Sequence, residues 1–349
     1  MTATLSALLL SGAVLAAALG GPALLRRAAP ALSAVPRVAA LLLTLAGLLW
    51  ITALVAIGPV VALMSSGPAW LPEQAAAVCG RCLSAAAPIA GSGLTLGIPA
   101  VVPLAIPALG ALAVGAGLVV EFRSLRATQR RYGAALRATS DAVTVLGSRA
   151  RVTREGDLRA FSLPHRHGGI VLSRGTLGAL SPAELAAVLA HEAAHLDQRH
   201  HFALGVLNGA TRWFRWVPLV RAIRDAVPHY LEIAADQVAQ RSAGTRALAG
   251  ALLKLGSGPH AEGPHGEGAQ GAAASGVGAP GALGTGIPAH AVLHAAGSER
   301  IRHLVGAPRP RASTALAAAV GAYACMLAGV VFAVQLPYVV AVLTGCFVQ

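Results

Sequence analysis

Long apolar runs, separated by short arginine-bearing segments, set the first expectation. Residues 4–25, 38–64, 93–120 and 314–344 each carry enough consecutive apolar positions to cross a lipid core as a helix. A core about 30 Å thick needs about 20 such residues. The first run has no basic residue before it and is followed by Arg26 and Arg27, the wrong flanks for a cleaved leader. Pro99, Pro103 and Pro107 predict a kink or a delayed start in the third run. Arginines cluster at 26–37 and again after 121, whereas 65–92 carries only Arg81. The positive-inside rule then puts both termini outside and the region between the third and fourth spans in the cytoplasm. Arginine in place of lysine, with abundant Ala and Gly, fits a GC-rich bacterial genome, so the expected site is a bacterial inner membrane.

The pattern changes after residue 121. The basic run 121–143 reads as a helix continuing the third span. A turn-rich piece and a short β-type run at 169–173 follow. Ser181, Pro182 and Glu184 make a helix start, with an N-cap, proline in the first turn and a capping-box glutamate. The sequence from Pro182 to His201 is helix-forming throughout, and a second helix is expected from Pro228 to near Gly244. Between them, Trp213, Phe214 and Trp216 alternate with Arg212 and Arg215, which fits either a membrane-interface belt or a packed helix. Residues 256–298 are low in complexity and read as a disordered insertion; His260 and His265 there read as solvated.

The expected fold is mainly α: a polytopic membrane protein with four transmembrane helices and a helical catalytic domain carrying a small β element. Its parts are three spans (1–122), a cytoplasmic domain (123–255), the insertion (256–298), and a return segment with the fourth span (299–349).

Composition strengthens the membrane reading. Charged residues are 12% and hydrophobic residues 55% of the chain, against about 25% charged in soluble domains. The net charge of +13 is almost all arginine, Lys254 being the only lysine. The arginines flank apolar runs, and no helix-turn-helix, finger or aromatic-basic platform is present, so the expected partner is the bilayer and not nucleic acid. The spans also lack the interior charges of an ion or proton path. The four cysteines make no four-ligand zinc pattern; Cys79 and Cys82 are spaced as a redox pair or a structural one.

The chemistry concentrates in residues 189–201, "LAHEAAHLDQRHH". His191 and His195 are four apart on the capped helix, so both rings leave one face and can reach one metal ion. Glu192 stands beside the first of them, placed to act as a general base. A catalytic zinc needs a third protein ligand and an open position. Glu232 is the candidate ligand. Asp236, one turn on, is the candidate partner for a ligand's free ring N–H. His229 and Asp197 compete as ligands, and His200 and His201 read as polar residues at the helix end. His229, Arg199 and Tyr230 are candidates to stabilise an oxyanion. The run 169–173 reads as an edge strand pairing with substrate or as a core strand. One zinc ion and a protein substrate are the expected cofactor and partner; the oligomeric state stays open. A non-catalytic zinc-binding receptor is the rival reading.

These motifs resemble those of the BlaR/MecR-type membrane metallopeptidases, zinc proteases of the glutamate-ligand (gluzincin) type. The resemblance rests on "HEAAH", the later "EIAAD", the upstream "GGIVLSRGTL", and a domain held between a third and a fourth span. It implies His191, His195 and Glu232 as ligands, Glu192 as base, Asp236 as orienter, and regulatory cleavage such as that of a repressor. The antibiotic-sensing members carry a large extracellular domain after the last span; none is expected here, so β-lactam sensing is not implied. HtpX-type and CAAX-prenyl-type zinc proteases share similar motifs and are the close alternative.

Overall fold

The computed structural model describes residues 3–62, 77 and 101–256, with single helical positions between 325 and 340. The CGRC cysteines, the bulk of the low-complexity segment and most of the fourth candidate span lie outside the described residues. The chain divides into two compact units. One comprises Met1–Phe122, Leu204–Tyr230 and Arg309–Gln349; the other comprises Arg123–Ala203 and Leu231–Pro308.

Among the described residues, three helices are long and apolar enough to cross a membrane: α1 (Ala3–Leu32), α2 (Pro36–Ala62) and the apolar part of α3 (Val101–Thr139). As the sequence predicted, α3 continues without a break from the apolar run into the basic one. Pro103 stands in its first turn, where a missing N–H costs little, and Pro107 is carried inside. In the first unit α1 and α2 pack through Ala7, Leu10, Val14 and Ala18 against Trp50, Ala53, Ala56 and Val60. The Trp50 indole donates to the Val14 carbonyl at 3.0 Å, which satisfies the one polar atom this packing buries.

The second unit is built on a sheet larger than the sequence suggested. Helix α3 stops at Thr139. Ser140–Val145 (β1) and Ser148–Thr153 (β2) then form an antiparallel hairpin closed by Leu146 and Gly147. Both turn residues have positive φ, 48° and 80°, as a two-residue hairpin turn requires. Ala160–Ser162 (β3) and Ile170–Ser173 (β4) complete the order β1-β2-β4-β3. The run at 169–173 is thus an interior strand, parallel to β2 and antiparallel to β3, and all four of its residues are buried. Continuous apolar character suits a strand covered on both faces. The edge-strand alternative for this run is therefore corrected: β3 and β1 are the edges.

After the short helix α4 (Arg174–Ala179), α5 (Pro182–Asp197) lies across one face of the sheet. Leu185, Val188 and Leu189 of α5 pack on Ala150, Ile170 and Leu172. Leu136 of α3 meets Val171 and Leu163 in a separate cluster. The capping box forms as predicted: the Glu184 N–H donates to Ser181 Oγ, and the Ser181 N–H to Glu184 Oε2.

Three helix boundaries differ from expectation. The basic run was expected to stay helical to 143, but α3 ends at Thr139 and β1 takes the residues that follow. α5 ends at Asp197 instead of running to 201, because Arg199 takes a left-handed φ of 53° and α6 (His200–Ala210) starts anew. The later helix α7 begins at Pro218, not Pro228, and runs to Ala243 with Pro228 inside it. α8 (Thr245–Gly256) closes against α5 and α7 through Leu248, Leu252, Ala187 and Ala239.

Candidate metal centre

The apolar stripe of α5 faces the sheet, and the stripe beside it, carrying His191 and His195, meets Glu232 and Asp236 of α7. There Glu232 and Asp236, four apart on α7, stand one turn above each other. All four side chains are buried, as is Glu192. The Nε2 atoms of His191 and His195 are 3.1 Å apart, and each lies 3.4 Å from a Glu232 carboxylate oxygen. Three ligand atoms from His191, His195 and Glu232 therefore converge on one point.

Those spacings suit zinc. Ligands about 2.0–2.1 Å from a tetrahedral ion are separated from one another by about 3.3 Å, close to the 3.1 and 3.4 Å found here. Charge points the same way. Burying the three carboxyl groups of Glu192, Glu232 and Asp236 together is costly, and a divalent cation offsets that cost.

The outer partners set the ring tautomers. Asp236 Oδ1 lies 3.0 Å from His191 Nδ1. A carboxylate at that distance favours a proton on Nδ1, which leaves the Nε2 lone pair for the ligand cluster. His195 is served differently. Its Nδ1 lies 2.8 Å from Nδ1 of His200, and His200 Nε2 lies 3.0 Å from Gln198 Oε1. An amide oxygen only accepts, so His200 carries its proton on Nε2 and offers a lone pair at Nδ1. His195 must then donate from Nδ1, and its Nε2 also presents a lone pair to the cluster.

His200 was expected to be a polar helix-end residue. It is instead 2% exposed and packs edge-on against the His195 ring, with centroids 4.7 Å apart. The break at 198–199 turns it back onto α5, and a continuous helix would not. No sequence cue marks the break, because the left-handed residue is an arginine. Of the competing ligands, Asp197 and His229 are both exposed and outside the cluster.

The comparison with known families bears on this geometry. Residues 147–215 match the model of peptidase family M48. The match takes in β2 to β4, all of α5 and α6, and stops before Glu232 and Asp236, which rest on geometry alone. That segment is similar to a peptidase family, and among the described residues three apolar helices are long enough to span a membrane. No curated protein and no solved structure matches the chain.

Proposed function

We propose that the protein is a membrane-embedded zinc endopeptidase that cleaves a cytoplasmic or membrane-adjacent protein in regulatory proteolysis. The buried convergence of His191, His195 and Glu232 beside Glu192 carries this reading. His191 and His195 would hold zinc through Nε2, and Glu232 through its carboxylate. Bound there, zinc supplies Lewis acidity to a water molecule and to the scissile carbonyl. Glu192 takes the proton of the attacking water and delivers it to the leaving amine. Asp236 and His200 keep the two imidazoles in the ligating tautomer. The arginine distribution supports a cytoplasmic active site and an external N-terminus.

The test compares the wild type with Glu192→Gln in detergent. Zinc content should stay at one ion per chain in both, while cleavage of an unfolded protein falls by about 10²–10⁴-fold in the variant. Equal cleavage by the two would sink the enzyme reading and leave the zinc-binding receptor. Glu232→Ala should lose the ion; full zinc retention would reject Glu232 as ligand. Proteins that accumulate in cells carrying Glu192→Gln identify the substrate. One or two species fit a regulatory role, and a broad set of damaged membrane proteins fits quality control.

A further inference from the structure

The segment between the two ligand-bearing helices is built into the first unit, among the apolar helices. Val217 and Val220 are buried in the core formed by Val14, Trp50, Ala53 and Val60, and Phe214 meets the Trp50 ring edge-on at 6.3 Å. Gly21 of α1 leaves room for Leu219; a Cβ there would lie 2.5 Å from its Cδ1. Gly117 of α3 and Gly209 of α6 cross backbone to backbone: a Cβ on Gly117 would strike the Gly209 carbonyl, and one on Gly209 would lie 2.8 Å from Leu118 Cα. Small residues at such a crossing are the usual means by which helices approach closely in lipid.

Distances along the helices give the depth. The Trp213 indole donates to the carbonyl of Ala113, eight residues above Glu121 on α3. At about 1.5 Å per residue this is about 12 Å into the apolar section. Phe214 meets Trp50, thirteen residues from Arg37 on α2, or about 20 Å. The turn at 211–217 therefore reaches between one-third and two-thirds of the way into a core about 30 Å thick. Its polar groups are matched for such a place. Arg212 pairs with Glu121 at 3.6 Å, and Arg224 donates to Thr211 Oγ1 at 2.9 Å and to the Asn208 carbonyl at 3.3 Å, tying the two arms together. Yet Trp216 is 81% and Trp213 53% exposed, and Arg215 and Arg221 are exposed beside them.

We infer that residues 204–222 form a re-entrant hairpin in the bilayer. It enters and leaves on the side of Arg26, Arg27 and Arg37, with Trp213 and Trp216 in lipid and the exposed Arg215 and Arg221 directed toward that side. The occupant of the exposed aromatic face is lipid because this face continues the outer surface of helices that are themselves apolar. Exposed aromatic rings are apolar enough for lipid, and long arginines can snorkel toward the headgroups. This holds whether or not the metal centre is catalytic.

The full chain is reconstituted into phosphatidylcholine–phosphatidylglycerol vesicles for the test. Tryptophan emission is compared for wild type and Trp216→Phe, a change at an exposed position. Lipids brominated near the headgroup or near the acyl-chain end serve as quenchers, with iodide as the aqueous quencher. The emission lost in the variant is that of Trp216. It should be quenched at least twofold by bromolipid, more by the deep one, and little by iodide. Quenching by iodide alone would overturn the proposal by putting the turn in water. Quenching by neither would overturn it by putting a protein surface over the turn. Trp213→Phe, which forfeits a hydrogen bond but leaves Phe214 in place, should repeat the expected result; if its lost emission is quenched by iodide alone, the proposal fails on the second indole as well.

Discussion

At the scale of the residue, the tautomer of His195 decides whether α5 can hold a metal. A proton on Nε2 would block the ligating atom, and His200 prevents this by accepting at Nδ1. His200→Asn keeps an acceptor near the same place, whereas His200→Leu removes it. Zinc affinity measured by chelator competition should fall about 10–100-fold in His200→Leu and recover in His200→Asn. Equal affinity in His200→Leu and wild type would reject the role. The clustering of His191, His195 and Glu232 was legible because the spacing of the two histidines puts them on one helix face and Glu232 lies on the next helical motif. His200 was not legible. Its position depends on a backbone angle at Arg199 that no side-chain pattern encodes.

At the scale of the element, the start of α5 is fastened twice. Glu184 Oε2 accepts from the Ser181 N–H and, at 2.7 Å, from Lys254 Nζ of α8. Gly250 makes room for that carboxylate, since a Cβ there would lie 2.5 Å from Glu184 Oε1. The hydrogen bond from Lys254, with the Ser181 backbone, holds the Glu184 carboxyl below its ordinary value. A depressed folded-state value means stability present above the unfolded value, about 4.3, and lost as pH falls through the folded one. The melting temperature of wild type should thus exceed that of Glu184→Gln at neutral pH, and the gap should close in acid. A gap independent of pH would assign the effect to packing. Ser181→Ala should cost about 1 kcal/mol in denaturant unfolding, as for other N-caps. This element was readable because its cap lies wholly within four consecutive residues. The β1–β2 hairpin was missed for the opposite reason. Its residues continue a basic helical run, and only the turn at Leu146 and Gly147 marks the change of period.

At the scale of the whole molecule, hydropathy revealed α1, α2 and the length of α3, because each side chain in lipid must be apolar whatever its neighbours. The hairpin at 204–222 was left undecided, because arginines and tryptophans fit lipid only if partners such as Glu121 and Thr211 lie beside them, and sequence order does not show that. A reporter fused after Gly256 should read cytoplasmic; an external reading would reverse the proposed orientation. Lys254 adds a practical consequence at this scale. The chain has a single lysine, its side chain is 45% exposed, and its amine grips the first turn of the helix that carries His191 and His195. An amine-selective reagent will therefore mark one side chain in the entire polypeptide, and the rate of that reaction becomes a built-in gauge of whether the N-terminal end of that helix is latched or loose.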